Sequence, residues 1–181
     1  HNNRTDALIL TDDLLKTLDR RIAVEVQNYL SPASDMVHLA ADIVKDPAFG
    51  ITSRSEIEAL AIQILKNYPQ LTIFSIADVK GNFIMPKKMA DGSIHNKIID
   101  RTDNTTLVKW VRRDTAGTVV AEEEVTADTY DARTRPWYIG AAEGRGLFWS
   151  DVYIFFTDQK PGVTAAMPVY DASDQLLGVL E

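Results

Sequence analysis

Tyr130-Asp131-Ala132-Arg133-Thr134-Arg135-Pro136-Trp137-Tyr138 gathers two arginines, a tryptophan and two tyrosines around one proline. Proline suits the first position of a helix, because the N–H it lacks would have no partner there. The run therefore predicts a short helix from about Pro136 to Glu143, ended by Gly144. Arg135 then stands at the positive end of the helix dipole, where free backbone donors and a planar guanidinium suit a carboxylate. The chemistry this permits is capture of an anion. Packing accounts for the same residues equally well, with Trp137 and Tyr138 as core aromatics and Arg135 paired to one of the 26 carboxylates.

Signals for catalysis are missing. The sequence has no Gly-rich phosphate loop, no Gly-x-Ser-x-Gly elbow and no His-Glu-x-x-His. Its three histidines, His1, His38 and His95, lie far apart without ligand spacing. No enzymatic turnover, metal or cofactor is expected. A net charge of -7, with the 19 basic residues dispersed, argues against nucleic acid as a partner, since phosphate recognition needs clustered cations. The absence of cysteine excludes a disulfide scaffold and a thiolate site, and fits cytoplasm and periplasm equally.

The elements that must position the cluster can be read in order. Thr11, Asp12 and Asp13 predict a helix start. Leu15, Leu18, Ile22, Val26, Tyr29, Ala33, Met36, Ala40 and Ile43 then trace one apolar stripe out to Asp46-Pro47. At 1.5 Å per residue this helix is on the order of 50 Å long, more than a small domain is wide. Its residues 11–29 are expected to project and pack on a second copy, and its C-terminal half to pack on the protein's own sheet. Pro32 predicts a kink or break near Asn28 to Ser31. Ser53-Arg54-Ser55-Glu56 is a capping box for a second helix through Ile57, Leu60, Ala61, Ile64 and Leu65. Leu71 to Ala77 and Phe83 to Met85 read as a hairpin, residues 86–104 as a polar surface loop of the kind that often borders a pocket. Thr105 to Arg113 and Thr118 to Val125 form a second hairpin, with Glu122-Glu123-Glu124 facing Arg112 and Arg113 on a solvated strand. Leu147 to Phe156, Val163 to Tyr170 and Gln175 to Glu181 form an antiparallel meander. The sum is an α+β fold: residues 1–47 a long helix, residues 48–181 a PAS-like lobe with an antiparallel sheet of about six strands flanked by helices.

Arg-Thr-Arg-Pro-Trp-Tyr at 133–138, then Trp149 and Tyr153, then Pro168-Val169-Tyr170-Asp171 and Leu177-Gly178-Val179-Leu180, resemble the double Cache sensor family. These are extracytoplasmic ligand-binding domains of chemoreceptors, sensor kinases and nucleotide cyclases. The resemblance implies the membrane-distal Cache lobe of a membrane-anchored receptor, with a transmembrane helix before residue 1 and a second lobe and span after residue 181, while the projecting helix implies a homodimer. In the subset that binds amino acids, Tyr130, Arg135, Trp137, Tyr138 and Tyr153 match ligand-binding positions. Arginine and the Trp and Tyr polar tips there hold a carboxylate, while aromatic faces and acids hold an ammonium. The sequence departs where that subset places an acid, carrying Phe155 instead, and a second acid would fall beyond Glu181. Asp151 and Asp171 are candidate substitutes, Asp171 also reading as a turn residue. An amino acid, an amine or a carboxylate without an amine all remain as ligand classes, beside a structural dimerisation module.

Overall fold

The structure, a computed structural model, describes residues 2–46, 51, 54–102 and 105–181. They fall into two compact units, divided after Pro32. The first unit is the N-terminal part of α1 (Asn2–Lys45), whose Leu14, Leu15, Leu18, Ile22, Val26 and Tyr29 are all exposed. The helix starts well before Thr11, because neither glycine nor proline interrupts residues 2–10. Asp12 is therefore interior and forms an i,i+4 ion pair with Lys16 at 2.6 Å instead of capping a terminus. Residues 28–31 are helical and Pro32 lies inside α1, so the break expected there is not found. A proline takes away its own donor and leaves the bonds of the turns on either side intact. The predicted capping residue Ser53 lies outside the described residues.

In the second unit, Val37, Ala40, Ala41 and Val44 of α1 are buried, as are Ile57, Ala61, Ile64 and Leu65 of α2 (Arg54–Asn67). The apolar steps of three and four place these residues on single helical faces. They share a core with Phe74, Ile76, Ile84, Ile94, Val169 and Leu180. A second core holds Ala77, Phe83, Met85, Ile99, Val108 and Val179 together with Tyr130, Trp137 and Tyr138. The two sets alternate along the strands, as the pleat requires, so one sheet separates them.

That sheet is antiparallel and has eight strands among the described residues. They are β1 (Ile76–Asp78), β2 (Phe83–Lys88), β3 (Ile94–Asp100), β4 (Leu107–Arg113), β5 (Val119–Glu124), β6 (Phe148–Trp149), β9 (Ala165–Tyr170) and β10 (Leu176–Leu180). Their spatial order is β5-β4-β3-β2-β1-β10-β9-β6. A separate two-stranded sheet joins β7 (Tyr153–Ile154) to β8 (Pro161–Gly162). At the centre Ile76 pairs with Leu180, and Val179 with Pro168.

Two features differ from the expected sheet of about six strands. Residues 94–100 are not loop but β3, hydrogen-bonded to β2 and β4 on both sides. Their His95-Asn96-Lys97 run reads as surface, yet Asn96 and Lys97 are buried. The expected strand Leu147 to Phe156 is two pieces, β6 pairing with β9 while β7 leaves the main sheet for β8. On the charged hairpin, Lys109 pairs with Glu122 at 2.8 Å and Arg112 with Glu123 at 2.5 Å, whereas Arg113 reaches Glu58 on α2.

Candidate ligand-binding site

Pro136 occupies the first turn of α3 (Pro136–Gly144), and Arg135 is its N-cap with extended backbone, φ -88 and ψ 149. A 3-10 turn over Ala132–Thr134 leads into it, capped by Asp131, whose Oδ1 accepts from the Arg133 backbone N–H at 3.0 Å. The same carboxylate holds the Arg133 guanidinium at 2.6 Å, which makes Arg133 a structural partner of the turn. Gly144 stays helical, and the left-handed terminating residue is Arg145, φ 55. Its guanidinium is fixed by Asp174 at 2.5 Å and lies 4.5 Å from the Tyr170 ring centroid.

Arg135 is half-buried and points to the β7–β8 hairpin. Its Cζ lies 5.8 Å from the Tyr153 ring centroid and 5.9 Å from that of Phe156. Nη2 makes one long hydrogen bond, 3.5 Å, to the Ile154 carbonyl. The Tyr153 hydroxyl meets Thr164 Oγ1 at 3.0 Å. Tyr130 stacks on Phe83 at 5.0 Å and meets Phe156 edge-on at 5.3 Å. The Trp137 indole N–H, a donor only, favours the ionised form of the Tyr130 hydroxyl beside it. Tyr130, Arg135, Trp137 and Tyr153 thus come together.

Tyr138 is buried on the same helical turn, but its hydroxyl donates to the Asp78 carbonyl at 3.5 Å, beside Arg133. Burial first, then the Asp78 charge, pushes its phenol up to about 12. Asp171 is exposed and closes the β9–β10 turn, accepting from the backbone N–H of Ser173 at 2.8 Å and of Gln175 at 2.9 Å. Asp151 is exposed between β6 and β7. The structure brings neither acid to Arg135, and Phe155 instead packs on Tyr153 at 5.1 Å.

Three polar residues not singled out in the sequence face this cluster. Glu181 accepts from Ser75 Oγ at 2.7 Å and lies within electrostatic reach of Arg135, Tyr130 and Tyr153. Loss of water pushes its carboxyl up to about 7, against the downward pull of the Ser75 hydroxyl and of Arg135. Desolvation, followed by the Glu181 charge, raises the Tyr130 and Tyr153 phenols well above the usual range. Thr164 contacts both Tyr153 and Glu181. Lys97 lies with Nζ 2.6 Å from Asp128 and 4.8 Å from the Tyr130 ring centroid. Period two from Val179, which packs in the Tyr130 core, does place Glu181 on that same face. No such signal marks Lys97, on a strand that reads as loop.

Among the described residues no group of three His, Cys, Asp or Glu side chains could hold a metal ion. No described helix is long and apolar enough to cross a membrane.

The fold has solved relatives at low identity. The ligand-binding domain of the Pseudomonas aeruginosa amino acid chemoreceptor PctC, in complex with GABA, matches with a TM-score of 0.62 at 17% identity, over 94% of this chain and 61% of that one. That of the Pseudomonas fluorescens chemoreceptor CtaA, in complex with L-alanine, matches at 0.59 and 19%, over 93% and 57%. That of the Campylobacter jejuni chemoreceptor Tlp3, in complex with 4-methylisoleucine, matches at 0.56 and 18%, over 93% and 54%. The chain thus spans somewhat over half the length of these solved chains. No curated protein sequence is significantly similar to it. The model of the methyl-accepting chemotaxis protein-like first PDC sensor domain matches residues 66–181, well over half of the sequence. The chain belongs to that sensor-domain family.

Proposed function

We propose that this domain is the ligand-binding part of an extracytoplasmic receptor and that its ligand is an amino acid or a closely related small carboxylate or amine. The observation that carries the reading is that the Arg135 guanidinium, 5.8 Å from the Tyr153 ring centroid and making one long hydrogen bond, shares the Tyr130–Tyr153 cluster with the oppositely charged Glu181. A zwitterion is complementary to such a frame. Its carboxylate takes a charge-assisted, two-pronged bond from Arg135, whose own hydrogen bond to Ile154 is long. Its ammonium meets tyrosine faces, worth about 0.5 to 2 kcal/mol, and the Glu181 carboxylate. Family membership and the amino acid ligands of the solved relatives support the same class.

The exposed apolar side chains of α1 from Leu14 to Tyr29 support a second copy packed along that helix in a membrane-anchored receptor. Binding without turnover is the activity. A thermal shift screened against amino acids, amines and small organic acids tests it, since a ligand at 100 times its Kd stabilises by about 2.7 kcal/mol. A reproducible rise with an amino acid supports the reading. No shift with any of the three classes leaves a structural dimerisation module.

A further inference from the structure

Lys97 is 1% exposed, and its side chain is neutralised by Asp128, Nζ to Oδ2 2.6 Å. The other oxygen of that carboxylate accepts the backbone N–H of Tyr130 at 2.9 Å. One acid therefore fixes both the buried cation and the start of the aromatic cluster. Lys97 Nζ lies 5.8 Å from the centroid of the Phe156 ring, and Arg135 Cζ lies 5.9 Å from the same centroid. A single ring of the β7–β8 hairpin stands beside both cations, and Tyr130 borders it edge-on.

We propose that Lys97 and Asp128 form the subsite that reads the far end of the ligand, and that they select an amino acid whose side chain ends in a carboxamide. This rests on the amino acid reading above. For a ligand held at Arg135 by its carboxylate, the Phe156 ring, 5.9 Å from Arg135 Cζ and 5.8 Å from Lys97 Nζ, would lie along the side chain and lead from that anchor to the ion pair. The pair is neutral as a whole and withdrawn from water, so a terminus of either sign adds a charge with no counterpart there. An apolar terminus adds none but makes no hydrogen bond. A carboxamide carries an acceptor for the Lys97 ammonium and, beside it, donors for the Asp128 carboxylate, which matches the pair without changing its charge.

The test is calorimetry of the folded domain with L-glutamine, L-glutamate, L-lysine and L-norleucine. Glutamine is expected to bind tightest, about tenfold over each of the others, the ratio of one well-made hydrogen bond. In Lys97→Met combined with Asp128→Leu the whole pair becomes apolar, an exchange that cores often accept. Norleucine should then overtake glutamine. Asp128→Asn carries the test independently: it keeps an oxygen for the Tyr130 N–H and leaves the cation unbalanced, so glutamate should overtake glutamine. Glutamine preference unchanged in either folded variant overturns the subsite and makes the ion pair a structural staple. Four ligands bound equally by wild type overturn it too, while the amino acid reading stands. If wild type binds none of the four, the subsite falls, and the broader thermal-shift screen decides whether the amino acid reading falls with it.

Discussion

Arg101 donates from Nη2 to the backbone carbonyl of Tyr130 at 2.8 Å and from Nε to that of Gly81 at 3.1 Å. One planar fork thus ties the β1–β2 turn to the residue at the heart of the aromatic cluster. Gly81 has φ 88, and a Cβ there would stand 2.9 Å from Arg101 Nε, so turn and guanidinium fit only without a side chain. Arg101→Met should lower stability by about 1 to 3 kcal/mol, because two inward carbonyls lose their donor. Arg101→Lys should recover only part, since a point cation cannot span both. Denaturant midpoints of the two variants check this.

Arg135→Ala should weaken ligand binding by roughly thirtyfold or more, from the about 2 to 5 kcal/mol typical of removing one partner of a desolvated charge pair. Arg133→Ala, which loses the pairing with Asp131 and a long bond to the Val79 carbonyl, should leave affinity nearly intact. Calorimetry on both folded variants separates them, and wild-type binding by Arg135→Ala would make Arg135 a packing residue.

Glu181 sets a pH dependence with a definite sign. Its folded carboxyl titrates at about 7 against an ordinary 4.5, so between those values the folded chain keeps a proton that the unfolded chain has lost. Stability of the free domain should therefore fall as pH rises from about 4.5 through 7. Glu181→Gln should flatten that slope in thermal melts. Ligand binding discriminates further: an ammonium-bearing ligand should bind tighter as pH rises through 7, whereas a plain carboxylate should bind more weakly.

The stripe on α1 is open to a direct check. Leu18→Glu with Ile22→Glu places two charges on exposed apolar positions of the first unit. Sedimentation should show less dimer in a membrane-free sample of the variant than in wild type. Equal dimerisation at matched concentration would move the seam elsewhere.

Much of this was legible in the sequence because local chemistry decided it. Pro136 set the start of α3, and the steps of Ile57, Ala61, Ile64 and Leu65 set the buried face of α2. The β4–β5 turn followed from Asp114 and Gly117, the first accepting from the Thr118 N–H at 2.8 Å, the second at φ 93. What was not legible depends on distant partners. Lys97 can lie inside a sheet only because Asp128, far along the chain, neutralises it, and no periodicity within residues 94–100 announces that. Likewise Leu147 to Phe156 looks like one strand until Trp149 pairs with Ala165 and Tyr153 with Gly162. Asp171 went to its turn because its oxygen found backbone donors two and four residues on.

The pairing of Ile76 with Leu180 has a kinetic meaning. β1 meets β2 across a tight turn, but its other edge stays bare until β10 arrives, after every other strand has been made. Closing that gap brings together ends separated by most of the domain, which makes for slow folding dominated by non-local contacts. A chain cut before Leu176 would leave β1 and β9 each with an open row of donors and acceptors in the middle of the sheet, a template for pairing between molecules. β10 acts as a clasp, and Gly178 lets it shut: a Cβ there would stand 2.3 Å from the Ala77 carbonyl oxygen, so even one methyl group would hold the two halves of the sheet apart.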